Sequence, residues 1–171
     1  MEAFELSRRG TAKDLIDKQI GTLIVRVVYP AVLAYCYHEV GKEKAIKLLY
    51  KLGEDIMDEY LKAKILRWDR DNFQDYVQDF LKYFYNSKSK INKINEKLYH
   101  VIDQNCILCT DITVEGLPFH YCIPYSGSIS RLLEILVKEG KIPKMKFKVE
   151  TVFSKGNDDP HCVHAIRVED E

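Results

Sequence analysis

Lys144-Met-Lys-Phe-Lys-Val-Glu-Thr-Val-Phe153 alternates apolar and charged residues along its length. Such a period of two sends Met145, Phe147, Val149 and Thr151 to one face and Lys144, Lys146, Lys148 and Glu150 to water, which predicts a half-buried β-strand. The loop Ser154-Lys-Gly-Asn-Asp-Asp-Pro160 follows, and then a closing strand over His161–Val168. Upstream, Ser128–Lys138 reads as a short helix with Ser128 or Gly127 at its cap and Gly140 as its stop. Before it, residues 97–103, 106–114 and 118–124 are rich in β-branched and aromatic side chains, with Glu115-Gly116 as a turn, and predict three strands.

The first half has the other period. Residues 12–20 and 22–39 predict helices, with Pro30 kinking or splitting the second. Beyond Gly41, the residues Ala45, Leu48, Leu49, Leu52, Ile56, Tyr60 and Ala63 recur at helical spacing, and Gly53 within them points to close packing on a neighbour. A further helix opens at an Asp71/Gln74 capping box and carries the stripe Phe73, Tyr76, Val77, Phe80, Leu81 and Phe84. Asn86-Ser-Lys-Ser-Lys-Ile-Asn-Lys-Ile-Asn95 reads as a polar connection. Helices followed by strands predict the α+β class: N-terminal helices on a twisted antiparallel sheet, with one short helix inserted between strands.

The chain has 171 residues, the size of one domain. Lysine plus arginine and aspartate plus glutamate each number 26. That balance excludes the basic excess by which nucleic-acid binders displace counterions, and any electrostatic membrane anchor. The N-terminus lacks the apolar run of a secretion signal, so a cytoplasmic protein with reduced thiols is expected. Leu23–Tyr37 is mostly apolar, but Arg26 and Pro30 interrupt it, and the uncharged run is too short to span a bilayer. It reads as a buried core helix, with Cys36 in the core.

Four of the five cysteines, Cys106, Cys109, Cys122 and Cys162, lie in the strand-rich half with His120, His161 and His164, and His100 precedes them. Cys106-Ile-Leu-Cys109 has the two-residue gap of zinc knuckles. In a continuous strand, however, residues three apart face opposite ways, and no glycine or proline there announces a turn. His120 with Cys122, and Cys162 with His164, would each share a strand face, so neighbouring strands would gather two imidazoles and two thiolates around one metal. The alternative for every one of these thiols is burial as a small hydrophobe. Cys162, beside His161 and Asp158-Asp159, is the only candidate nucleophile, yet His161 would point away from it on a strand. No phosphate-loop, dinucleotide, zincin or serine-elbow motif occurs, so the sequence leans against an enzyme. Phe119, Tyr121 and Tyr125 surround Cys122 and suit either an apolar ligand pocket or ordinary core packing.

Val149-Glu-Thr-Val-Phe-Ser-Lys-Gly-Asn-Asp-Asp-Pro-His-Cys162-Val-His-Ala-Ile resembles the closing motif of the 4-vinyl reductase (4VR) small-molecule-binding domain: strand, Gly-Asp-Pro loop, cysteine, strand. Pro118-Phe-His-Tyr-Cys122-Ile-Pro-Tyr-Ser-Gly127 resembles the family's cysteine, turn and helix, and Lys47-Leu-Leu-Tyr-Lys-Leu-Gly53 its early glycine-containing helix. The matching region is residues 41–168 of a single domain 1–171, with 1–40 a helical N-terminal extension. The resemblance implies the fold of TRAPP vesicle-tethering subunits, frequent dimers, stand-alone archaeal members described as hydrocarbon-binding, and a structural zinc beside a ligand cavity in related sensors. By motif match Cys122 and Cys162 are two of the zinc ligands. Where the family often has a third cysteine, this chain reads Val152-Phe153-Ser154, which leaves Cys106, Cys109 or a histidine to substitute.

The sequence is therefore read as a binding domain for a small apolar or aromatic ligand, a homodimer without a membrane span. A structural zinc involves Cys122, Cys162, Cys109 and Cys106, and Phe119, Tyr121 and Tyr125 stand at the pocket. The alternatives are an assembly subunit like the tethering proteins, a redox sensor using Cys106 and Cys109, and, last, a reductase acting on a vinyl group.

Overall fold

A computed structural model describes residues 24–62, 70–109 and 116–169. The predicted helix 12–20 lies outside them. A π-turn, Ile24–Val28, leads into α1 (Tyr29–Val40), with Pro30 in the first turn, where a missing N–H costs nothing. Of the two expected outcomes, kink or split, the structure shows the split: Pro30 starts a new helix after the π-turn. Gly41, at φ 77°, ends α1 as only glycine does easily and lets α2 (Lys42–Lys62) begin. α3 (Phe73–Tyr85) is capped by Asn72, whose Oδ1 accepts the Asp75 N–H at 3.0 Å; the cap lies one residue beyond the expected Asp71.

The sheet holds β1 (Lys90–Asn95), β2 (Leu98–Asp103), β3 (Lys146–Phe153) and β4 (Cys162–Glu169) in the order β1-β2-β4-β3, every neighbour antiparallel. α4 (Ile123–Lys138) is the helix inserted between β2 and β3 and packs between α2 and β3. This is the expected α+β architecture. Its core gathers Met57, Val77, Phe80, Leu81, Ile129, Leu132, Leu133 and Ile166, all essentially without exposure.

Several local expectations change. Asn86–Asn95 is not merely a connection, because Lys90–Asn95 forms an edge strand that is exposed almost throughout; pairing with β2, not periodicity, makes it a strand. The segment 106–114 is no strand where it is described: Ile107–Cys109 is a 3₁₀ turn, and 110–115 lie outside the described residues. Of the segment 118–124, residues 118–122 are loop and turn, and α4 starts at Ile123, five residues before Ser128. Pro124 in its first turn is the start signal. α1 is not a buried core helix either. Only Pro30 and Leu33 are buried, while Ile24, Val27, Val28, Val32 and Tyr35 are exposed and Cys36 is half-buried. Among the described residues no helix is long and apolar enough to cross a membrane.

Two glycines set the depth of the helical packing. A Cβ on Gly53 would lie 2.0 Å from the Pro124 carbonyl oxygen, and one on Gly127 would lie 2.0 Å from that of Tyr50. α2 and α4 therefore meet backbone to backbone, the close approach that Gly53 in the sequence implies. Ser128 Oγ seals the seam by donating to the Gly53 carbonyl at 2.8 Å.

Candidate functional site

Three chain segments bring four sulfurs together. Asp103, at the end of β2, accepts the Asn105 N–H at 2.9 Å, and the chain then closes into the 3₁₀ turn through the Cys109 N–H to the Cys106 carbonyl at 3.1 Å. A turn of three residues returns the second cysteine to the side of the first, which removes the objection that a strand would separate them. Cys122 is the N-cap residue of α4, and Cys162 opens β4. The Sγ atoms of Cys106, Cys109, Cys122 and Cys162 all lie within 4.8 Å of one another, and all four residues are buried. No disulfide joins them. Such a group can hold a metal ion, and no histidine belongs to it among the described residues.

The surroundings favour negative sulfur at Cys109 and the neutral thiol at Cys106 and Cys122. The Lys155 backbone N–H donates to Cys162 Sγ at 3.4 Å, and Ser154 Oγ lies 3.3 Å from Cys109 Sγ. Hydrogen bonds from Cys106 foremost, then Cys122 and Cys162, hold the Cys109 thiol far below its ordinary range. The same bond to Cys109 pushes Cys106 up, and burial pushes Cys122 up. Ser154 directly follows the end of β3, where the β3–β4 register shifts between Thr151 and Phe153. Asp159 Oδ2 then fixes this corner by accepting the Ser154 N–H at 2.8 Å.

The histidines go elsewhere. His120 and Cys122 do not share a strand face, since their segment is a turn; His120 lines a cleft while Cys122 joins the sulfurs. Cys162 and His164 do lie two apart on β4, both fully buried. Yet His164 Nδ1 meets Ser126 Oγ at 2.9 Å and Thr151 Oγ1 at 3.2 Å, and its ring stacks on Tyr125. Burial lowers the His164 pKa to about 4, so the imidazole is neutral near pH 7. His161 lines a separate pocket with Lys88, Lys90 and Gln104, and His100 sits in β2 opposite Ala165.

Beside the sulfurs, α2, the loop before α4, the first turn of α4 and β3 enclose a cleft of about 460 Å³. Ile46, Leu117, Phe119, Ile123 and Val149 form its apolar walls, Ser126, Thr151, His120 and Asn157 are its polar side chains, and Lys42 and Glu150 are its charged ones. Hydrogen bonds hold the walls in place: Tyr50 Oη donates to the Val149 carbonyl at 3.1 Å, and Asn157 Nδ2 to that of Phe119 at 3.2 Å. Of the aromatic trio singled out in the sequence, Phe119 lines this cleft. Tyr121 is buried, with its carbonyl accepting from Tyr29 Oη and its ring covering Gly156. Tyr125 is fully buried between the Tyr85 ring, 3.9 Å away between centroids, and that of His164 at 5.4 Å. Ser126, Ile46 and Ile123 were not among the expected site residues. Ser126 was legible as one helical turn beyond Cys122 only once the helix start at Ile123 was known.

Among solved structures, the chain is similar to a trafficking protein particle complex subunit 3 from Naegleria fowleri, a structure covalently bound to palmitic acid. The TM-score is 0.66 and the identity 15%, over 89% of this chain and 97% of that one. It is also similar to the phenol-responsive sensory domain of the transcription activator PoxR, solved with phenol, at TM-score 0.57 and 14% identity over 82% of this chain and 74% of that one. At these identities the likeness shows the fold, which is that of the TRAPP subunit. No family model matches the sequence, and no curated protein matches it.

Proposed function

We propose that this chain is a small-molecule-binding domain of the 4-vinyl reductase type, taking an apolar or aromatic ligand in the cleft between α2, α4 and β3. The observation that carries the reading is the cleft itself, about 460 Å³ with walls of Ile46, Phe119, Ile123 and Val149. An apolar concavity with a few convergent polar groups is the usual form of a small-molecule site. The two structural neighbours support it, since each was solved with a small organic molecule. Cys106, Cys109, Cys122 and Cys162 hold a structural zinc in this reading. Zinc–sulfur bonds of about 2.3 Å in a tetrahedron set the sulfurs about 3.8 Å apart, which fits the 4.8 Å span of the four thiols. A set of four thiolates leaves zinc no open position, so its part is to pin the β2 end, the α4 start and the β4 start beside the cleft. Titration of the protein with small aromatic hydrocarbons, followed by melting temperature and fluorescence, tests the cleft. A saturable rise in melting temperature is expected, and no shift in either signal across the panel removes the reading.

A second reading, an assembly subunit and homodimer, is favoured by one observation. The outer face of the π-turn and α1 leaves Ile24, Val27, Val28, Val32 and Tyr35 exposed, an apolar surface of the kind that marks protein contacts. Sedimentation equilibrium gives a dimer under this reading and a monomer if that face meets only solvent.

A further inference from the structure

We infer that Ser126, Thr151 and His164 make the cleft selective for uncharged ligands carrying a hydroxyl group, not for pure hydrocarbons; this rests on the cleft being a ligand site. Ser126 and Thr151 both line the cleft, from the first turn of α4 and from β3. Their hydroxyl oxygens are 2.9 Å apart, and each meets His164 Nδ1, Ser126 at 2.9 Å and Thr151 at 3.2 Å. Behind them His164 is wholly buried and its Nε2 has no partner among the described residues.

Proton accounting determines what this triangle offers a ligand. If Nδ1 is the bare nitrogen, it accepts from one hydroxyl while the other hydroxyl donates to the first. Both protons are then spent internally, and only oxygen lone pairs face the cleft. If Nδ1 carries the proton, it donates to one oxygen, and one hydroxyl proton is left over for the ligand. A ligand hydroxyl both donates and accepts, so it satisfies either arrangement. A carbonyl satisfies only the second, and a hydrocarbon neither. An ionised carboxylate is disfavoured twice. Ser126 is 1% exposed, so the triangle is the dry end of the cleft, where an unpaired charge is costly. Of the charged side chains lining the cleft, Lys42 is exposed and Glu150 is an anion, already paired with Arg167 at 3.0 Å.

The test compares naphthalene, naphthol and naphthoate, one ring system with three head groups, binding to the metal-loaded full chain by calorimetry at neutral pH. Naphthol is expected to bind about tenfold more tightly than naphthalene, the scale of one net hydrogen bond. Naphthoate is expected to bind at least about a hundredfold more weakly than naphthol. Ser126→Ala and Thr151→Val should each bring the naphthol-to-naphthalene ratio towards one. Thr151→Val keeps the side-chain shape and carries the test alone if Ser126→Ala does not fold. Equal affinities for the three probes, or a ratio that neither variant moves, overturns the selectivity and leaves the cleft reading standing. Failure of all three to bind overturns both.

Discussion

Two regions hold α4 in place by opposite means. At its N-terminal cap, Cys122 meets three other sulfurs contributed by segments far apart in sequence, a junction built from side-chain chemistry. One turn later, Gly127 and Gly53 let α4 and α2 touch through bare backbone, a junction built from the lack of side chains. Were a metal held there, the first would tolerate no change of atom type; the second leaves no room for added volume. The cleft lies beside both, with Ile123 and Ser126 on its wall, between Cys122 and Gly127 along the helix. The geometry of any ligand site there thus depends on two anchors that fail for different reasons.

The largest effect should come from the cysteine end. Elemental analysis of untagged protein is expected to find about one zinc per chain, with thiols shielded until a chelator is added. Chelation, or Cys109→Ser, should lower the melting temperature by about 20 °C or more, since metal binding to a preformed site is folding free energy. A metal-free protein with an unchanged melting temperature would reduce the four cysteines to core residues and erase the contrast. Gly127→Ala comes next. Its Cβ would be driven to 2.0 Å from the Tyr50 carbonyl oxygen, with a cost of about 3 kcal/mol or more and a melting-temperature drop of roughly 6–12 °C. Zinc content should stay the same in that variant. Loss of both together would mean the two anchors act as one unit.

A smaller and opposite change is expected at Tyr125→Phe. The Tyr125 hydroxyl is buried without a partner among the described residues, and burial raises its pKa well above the usual tyrosine value. Removing it relieves an unsatisfied group and should stabilise the protein by about 1 kcal/mol, or roughly 2–4 °C. A fall in melting temperature would reveal a bound water or ion on that hydroxyl. The smallest effect belongs to Arg131→Ala, which breaks the 2.8 Å ion pair with Asp58 across the seam between α4 and α2. Both partners are about a third exposed, so the loss should stay under about 1 kcal/mol. A greater loss would show that the seam is held by charge as well as by backbone contact.

Much of the fold was legible because amphipathic periods are local. The stripe from Phe73 to Leu81, the helix after Gly41 and the alternating strand through Val149 each satisfy one period over many residues. The metal-capable group was legible in its members, from the Cys106–Cys109 spacing and the motif match at Cys122 and Cys162, but not in its geometry. The four cysteines could be named, but the sequence set Cys106 and Cys109 on opposite faces of a strand, and it offered imidazoles that the folded chain sends to other places. A three-residue 3₁₀ turn carries no periodic signal, and β1, exposed almost throughout, has none of its own either.

The α+β class, the antiparallel closing strands and the close approach at Gly53 follow from the residue pattern alone, since each depends on neighbouring residues or on one residue's missing side chain. That four sulfurs converge and that Ser126, Thr151 and His164 meet emerges only in the packed chain. Apart from Cys106 and Cys109, the residues so joined stand 13 to 56 positions apart in the chain. Their geometry follows from the packing of α4 between α2 and the sheet, and no local pattern encodes it.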